Sequence, residues 1–449
     1  MENRTFLYKT IVGSILTFLL SLYLFPIVFT FFPIANTKVV FAACGLGWFI
    51  INMAMEQRKA NLPKDLLVCF IIALLVSLAG LASMTINNTM DTAYASYVVS
   101  MCVWLGGAYF CVNIIKLFHK EVNIDILCNY IIAVGVFQCI SVLLIKYVPY
   151  ANNLTIRLIS DFAGVGSMAH IVEGGRNYGF GAALDPSGTR FAAMLIILAC
   201  VLTRSEKRMS SKLIFLYILS FFVILVIGNM VARTTTVGAI IAIGIIGIRL
   251  FASDKWGNKG KTLSLFISIL LLVIGVTVYM YNHNTTFQKD LRFAFEGFFA
   301  LVEDGYWHTN SNDNLQNMYI FPDNPKTWLI GDGYFNKPDA IDGNYFIGYN
   351  PTEYYKGTDV GYCRFLFYFG LTGLILFMTF FVTVGHFCSI KNKDYKWMFT
   401  FFVLLNFIIW FKVATDIFLI FALFLCLPPT EETVKVENYK RTYRRMIRV

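Results

Sequence analysis

The chain has 449 residues, 57% of them hydrophobic and only 14% charged, with a mean hydropathy of +0.64 and a formal net charge of +10. A soluble domain of this length does not need so many apolar residues, so the composition excludes an ordinary globular enzyme and points to a membrane chain. The ten cysteines fall within or beside apolar runs, where they read as small hydrophobes and argue against an outward disulfide framework.

The charged opening, residues 1–9, leads into an apolar run with no small-residue cleavage site behind it, so this run is read as a retained helix and not a signal peptide. Apolar runs of about 18 or more residues are candidate spans. Twelve are predicted, at 10–32, 39–55, 66–84, 96–118, 124–145, 187–203, 213–228, 235–251, 263–281, 360–384, 397–411 and 414–427. The expected fold class is an all-α polytopic membrane protein of about twelve transmembrane helices. Residues 1–281 and 360–427 form the membrane domain, 282–359 one large outward loop, and 428–449 a basic tail. Basic residues set the orientation. With both ends in the cytoplasm, the inward segments hold 24 of the 37 Lys and Arg and 11 of the 27 acids, a net of +13 against −3 outside. The cluster at 440–445 then reads as an anchor on anionic lipid and not as a nucleic-acid patch.

Three outward segments carry polar residues: 146–186, the short turn 229–236, and the loop 282–359. Polar loops this long between membrane helices commonly carry function. Thr285 or Thr286 is expected to cap a loop helix reaching about Val302, with Phe287, Leu291, Phe295, Phe298, Phe299 and Val302 on one face. From Asp304 to Asp359 the loop is expected to be mostly irregular.

Arginines recur at the outward face. Arg176 lies in Gly174-Gly175-Arg176-Asn177-Tyr178-Gly179, Arg190 in Asp185-Pro186-Ser187-Gly188-Thr189-Arg190, Arg233 between two apolar runs, and Arg364 five residues into the tenth span. A guanidinium at membrane depth is costly and normally has a partner or a task, and its planar fork suits phosphate. Two readings stand: a shared anionic ligand such as a lipid-linked pyrophosphate, or separate pairing with Asp161, Glu173, Asp185 or Asp359. The loop aromatics, among them Trp307, Trp328 and Tyr334, suit sugar rings, and equally suit packing. Transfer to a hydroxyl benefits from a base. Candidates at this face are His308, His170, Asp359, Asp332 and Glu173. No Asp-x-Asp, Gly-rich phosphate loop or His-Glu-x-x-His occurs, which argues against a nucleotide-sugar transferase, an ATPase and a zinc protease. No metal ligand set or cofactor is expected.

The layout resembles the bacterial O-antigen and capsule repeat-unit polymerases (Wzy-type) and the related O-antigen ligases. Three stretches carry it. One runs from Arg176-Asn177-Tyr178-Gly179-Phe180 to Asp185-Pro186-Ser187. The second is Ala232-Arg233-Thr234-Thr235, where the family commonly has Ser before Arg. The third is Trp328-Leu329-Ile330-Gly331-Asp332-Gly333-Tyr334 with Thr358-Asp359-Val360-Gly361 and Tyr368-Phe369-Gly370-Leu371-Thr372-Gly373. The resemblance implies a GT-C-like, metal-independent glycosyltransferase of the bacterial inner membrane, active on the periplasmic face. Its substrate would be an undecaprenyl-diphosphate-linked oligosaccharide, with Arg176 and Arg233 on the diphosphate. Membrane lipid and a chain-length regulator protein are the further implied partners. A ligase using the same donor is the alternative, and a transporter or flippase of lipid-linked sugars is the alternative of another class.

Overall fold

The computed structural model describes residues 2–56, 63–119, 121–162, 166–204, 209–252, 259–336 and 354–428. The cluster at 440–445 and the loop aromatics Tyr345, Phe346 and Tyr349 lie outside the described residues.

The protein is a polytopic bundle of apolar helices. In chain order these are α1 (Glu2–Leu24), α2 (Thr37–Glu56), α3 (Lys64–Asn87), α4 (Tyr97–His119), α5 (Ile124–Tyr147), α6 (Pro149–Leu158), α7 (Met168–Glu173), α8 (Leu184–Leu202), α9 (Ser211–Val231), α10 (Thr235–Ala252) and α11 (Lys259–His283). The loop helices α12 (Thr285–Ala294), α13 (Glu296–Glu303), α14 (Asn310–Gln316) and α15 (Pro325–Ile330) follow, then α16 (Gly361–Lys391), α17 (Lys396–Ile409) and α18 (Phe418–Leu425). Among the described residues, eight helices are long and apolar enough to cross a membrane, and two shorter apolar helices lie at Tyr8–Leu24 and Thr235–Phe251.

The last two of the about twelve expected spans are short helices. α17 has 14 residues and α18 has 8. At 1.5 Å per residue these reach about 21 Å and 12 Å, short of the ~30 Å hydrocarbon core. They form a hairpin whose turn satisfies its own backbone: the Trp410 indole N–H donates to the Thr415 carbonyl at 2.8 Å, and the Ile417 N–H donates to Asn406 Oδ1 at 3.2 Å.

The sequence reading also missed a small antiparallel sheet of β1 (Ile27–Phe29), β2 (Ile159–Phe162) and β3 (Gly166–Ser167), in the order β1-β2-β3. Ile27 pairs with Phe162 and Val28 with Asp161. Strands of two to four residues are too short to show alternation.

α8 is the central helix, packed on α5, α9, α10 and α17 and buried from Ser187 through Ala199. A Cβ on Gly238 of α10 would overlap the Ala192 backbone of α8, so glycine sets the closeness of that crossing. At the end of α8 away from the loop, the Arg204 guanidinium donates to Asp125 at 2.5 Å and Asp394 at 3.1 Å, and the Tyr395 hydroxyl donates to Asp125 at 2.6 Å. The start of α5, the end of α8 and the turn between α16 and α17 thus meet there.

The long loop is more structured than expected. Its first helix is capped by Asn284, whose Oδ1 accepts the Phe287 N–H at 2.9 Å, and not by Thr285 or Thr286. The helix breaks at Phe295, so the single apolar face does not continue. Phe287 and Leu291 are buried, whereas Phe298 is 49% and Val302 84% exposed. Further on, the Gly331-Asp332-Gly333 stretch docks on α16. Gly370 has φ +66, which breaks α16 and frees carbonyls beside it. The N–H groups of Asp332 and Gly333 donate to the Phe367 and Tyr368 carbonyls at 2.6 and 3.1 Å. The segments 328–334 and 368–373 are therefore an anchor between loop and bundle.

Candidate functional site

Arg176 and Arg233 are neighbours because their chain segments are tied together beneath them. Asn177 is buried and its Nδ2 donates to the Met230 carbonyl at 3.3 Å, joining the turn after α7 to the end of α9. Lys146, in the last turn of α5, donates to Asn177 Oδ1 at 2.8 Å and pairs with Asp290 of α12 at 3.2 Å. The bundle, the α7–α8 segment and the first loop helix therefore share one polar knot.

Above the knot, both guanidinium groups sit on the same ring. The Phe293 centroid lies 5.1 Å from Arg176 Cζ and 4.7 Å from Arg233 Cζ. The two carbons therefore stand no farther apart than about 10 Å. A cavity of about 630 Å³ opens here, lined by Arg176, Arg233, Arg292, Phe293, Glu296 and His308 among others.

The charges in this cavity are mostly matched. Arg233 donates to Glu296 instead of to Asp161, Glu173, Asp185 or Asp359. Arg292 grips Glu303 with two parallel bonds of 2.8 and 2.6 Å. Bonding to Glu303 raises the pKa of Arg292, and bonding to Arg292 lowers that of Glu303. Among the described residues the Arg176 side chain has no ion pair or hydrogen bond, only its ring contact, and it is exposed. It is the cation left available for an anion.

His308 lines the same cavity. Its Nε2 lies 2.9 Å from Asp304 Oδ2, which orients the ring, and its Nδ1 lies 4.0 Å from Asp313, beyond hydrogen-bond reach. Trp307 turns away to pack edge-on against Phe298 at 4.9 Å over Gly297.

Asp359 belongs to a second polar group. Its Oδ1 is buried with no hydrogen-bond partner among the described residues. Burial, and then the neighbouring Asp185 carboxylate, push its pKa up to about 6, against the pull of Arg364 and Lys412. Asp185 accepts from Lys412 at 2.9 Å and from the Thr234 hydroxyl at 3.1 Å, so this group adjoins the turn that carries Arg233. Leu184, just before Asp185, has φ +52, a strained value for a branched side chain that aims the start of α8 at this cluster.

The remaining candidates stand apart from the cavity. Arg190 is buried in α8 with its guanidinium 5.4 Å from the Phe25 ring. Arg364 is clamped between the rings of Phe335 at 3.5 Å and Tyr354 at 3.8 Å, and donates to the Phe335 carbonyl at 3.1 Å. It fastens the loop to α16. Trp328 stacks on Phe321 and donates to the Pro322 carbonyl at 2.8 Å, and Tyr334 stacks on Tyr355 at 5.3 Å. Both are occupied by packing within the loop.

Sequence reasoning missed Phe293, Glu296, Arg292 and Lys146. Phe293 falls off the apolar face assigned to the loop helix, and Glu296 reaches Arg233 only because that helix breaks at Phe295. Among the described residues no group of three or more His, Cys, Asp or Glu is arranged to hold a metal ion. The chain matches no family profile, no curated protein and no solved structure.

Proposed function

We propose that the protein is a membrane glycosyltransferase that polymerises polyprenyl-diphosphate-linked oligosaccharide repeat units at its loop face, taken as the periplasmic face. The observation that carries this reading is the single cavity in which Arg176, Arg233 and His308 meet. In this reading Arg176 and Arg233 hold the diphosphate and stabilise the negative charge that grows on it as the bond to the sugar breaks. The sugar passes through an oxocarbenium-like state. The acceptor hydroxyl attacks that carbon and gives its proton to His308, which Asp304 orients. Asp359 is the second candidate base, in the polar group that adjoins the Arg233 turn through Asp185 and Thr234.

The test is made in cells that depend on this chain for surface polysaccharide. Arg176→Ala and Arg233→Ala are expected to abolish long-chain polymer while single-unit material persists. Full-length polymer from both variants contradicts the proposal. Polymer stranded on the carrier identifies a ligase instead, and carrier-linked units trapped on the cytoplasmic side identify a flippase.

A further inference from the structure

The pairing of Arg233 with Glu296 is at odds with a site waiting for an anion, and its geometry indicates what that pairing does. Glu296 is the first residue of α13, directly after the break at Phe295. One of its carboxylate oxygens accepts from Arg233, and the other accepts the Asn310 N–H at 3.2 Å. The Arg233 and Glu296 side chains are 20% and 25% exposed, so ligand and solvent can reach the pair. At the far end of α13, Glu303 pairs with Arg292 through both of its oxygens, and that pair is 43% and 47% exposed. Both carboxylates on α13 thus occupy arginines of the cavity, while Arg176 beside them is unpaired among the described residues.

We propose that Glu296 is a specificity-determining residue: an internal carboxylate that occupies Arg233 until a multiply charged anion replaces it. The inference rests on the proposed function, since it concerns the same diphosphate site. A monoanion offers Arg233 no more charge than Glu296 already supplies, and it must still displace a carboxylate tethered at high local concentration. A diphosphate bridges Arg176 and Arg233 together, and its added charge favours the exchange. Glu296 then sets a threshold against monoanions such as carboxylates and phosphodiester headgroups, and against single phosphates, which bring one phosphorus centre to the two arginines where a diphosphate brings two. The exchange leaves Glu296 bonded to the Asn310 N–H, so the cavity wall keeps its shape.

The experiment uses full-length protein in lipid nanodiscs, titrated with inorganic pyrophosphate, inorganic phosphate and farnesyl diphosphate. Glu296→Gln keeps an acceptor for Asn310 and removes the competing charge. It is expected to bind phosphate about tenfold more tightly and pyrophosphate about threefold more tightly, so the preference for pyrophosphate narrows. Glu303→Gln, at the more exposed pair, is expected to change either affinity by less than about threefold. Farnesyl diphosphate is expected to bind wild type more tightly than pyrophosphate if the source is lipid-linked, and the reverse order overturns the lipid-linked reading. Equal phosphate affinity in wild type and Glu296→Gln, with binding still lost in Arg176→Ala, overturns the inference and leaves the proposed function standing. No binding of any probe to any variant overturns both.

Discussion

Asp91 is the residue whose removal most cleanly tests how the loop is held over the cavity. It lies between α3 and α4 and is completely buried. One carboxylate oxygen accepts the N–H groups of Phe335 and Asn336 at 2.8 and 3.0 Å, and the other accepts the Ala93 N–H at 3.1 Å. Arg364 in turn donates to the Phe335 carbonyl, so this junction fixes the loop at Phe335 and Asn336. Asp91→Ala leaves three backbone donors without their acceptor. An unsatisfied buried donor costs about 1–3 kcal/mol, and relief from burying a carboxylate offsets part of the total. The net loss of anchoring is about 3 kcal/mol, a factor of about 100 in local opening. Asp91→Asn keeps one acceptor oxygen and is expected to lose less. Hydrogen exchange at the Phe335 and Asn336 amides reads this directly, with Asp91→Ala exchanging there at least about tenfold faster than wild type. Unchanged protection at both amides in Asp91→Ala refutes the anchoring argument.

Other perturbations probe separate links. Phe293→Leu preserves bulk but removes the ring under both arginines, and with each cation–π contact worth about 0.5–1 kcal/mol, pyrophosphate affinity measured by calorimetry is expected to fall about fivefold or more. Gly238→Ala forces α8 and α10 apart at the Ala192 crossing and is expected to lower the thermal midpoint and the yield of monodisperse protein on gel filtration. Asp359 has a folded pKa raised to about 6, so the folded state binds the extra proton and the cost of the buried charge grows as pH rises from about 4 to about 6. Asp359→Asn is therefore expected to raise the thermal midpoint above pH 6, with the gain fading as pH falls toward 4. A gain that is constant across that range counts against the burial argument.

The apolar runs were legible because a span must satisfy its backbone internally and shed charge, a demand that composition alone reveals. The gathering of Arg176 and Arg233 followed from the same logic, since both interrupt or precede spans that return to one face. What escaped the sequence depends on long-range geometry. Ile27 pairs with Phe162 across more than a hundred residues, and neither strand is long enough to announce itself. Glu296 finds Arg233 only after the helix breaks at Phe295, a break whose one local mark is Gly297 two residues on. Arg364 and Arg190 carry the residue type expected of an anion site, yet one is clamped between loop rings and the other is buried beside Phe25. The Trp328 to Tyr334 stretch suited a sugar site and packing equally from sequence, and its docking on α16 depends on Gly370 opening that helix to receive it.

The most direct measurement is sugar transfer by the purified full-length protein, reconstituted in lipid and given a polyprenyl-diphosphate-linked repeat unit. The account predicts polymer and released polyprenyl diphosphate from wild type, and neither from Arg176→Ala or Arg233→Ala. An inert wild type with intact donor, or full activity in both variants, contradicts it.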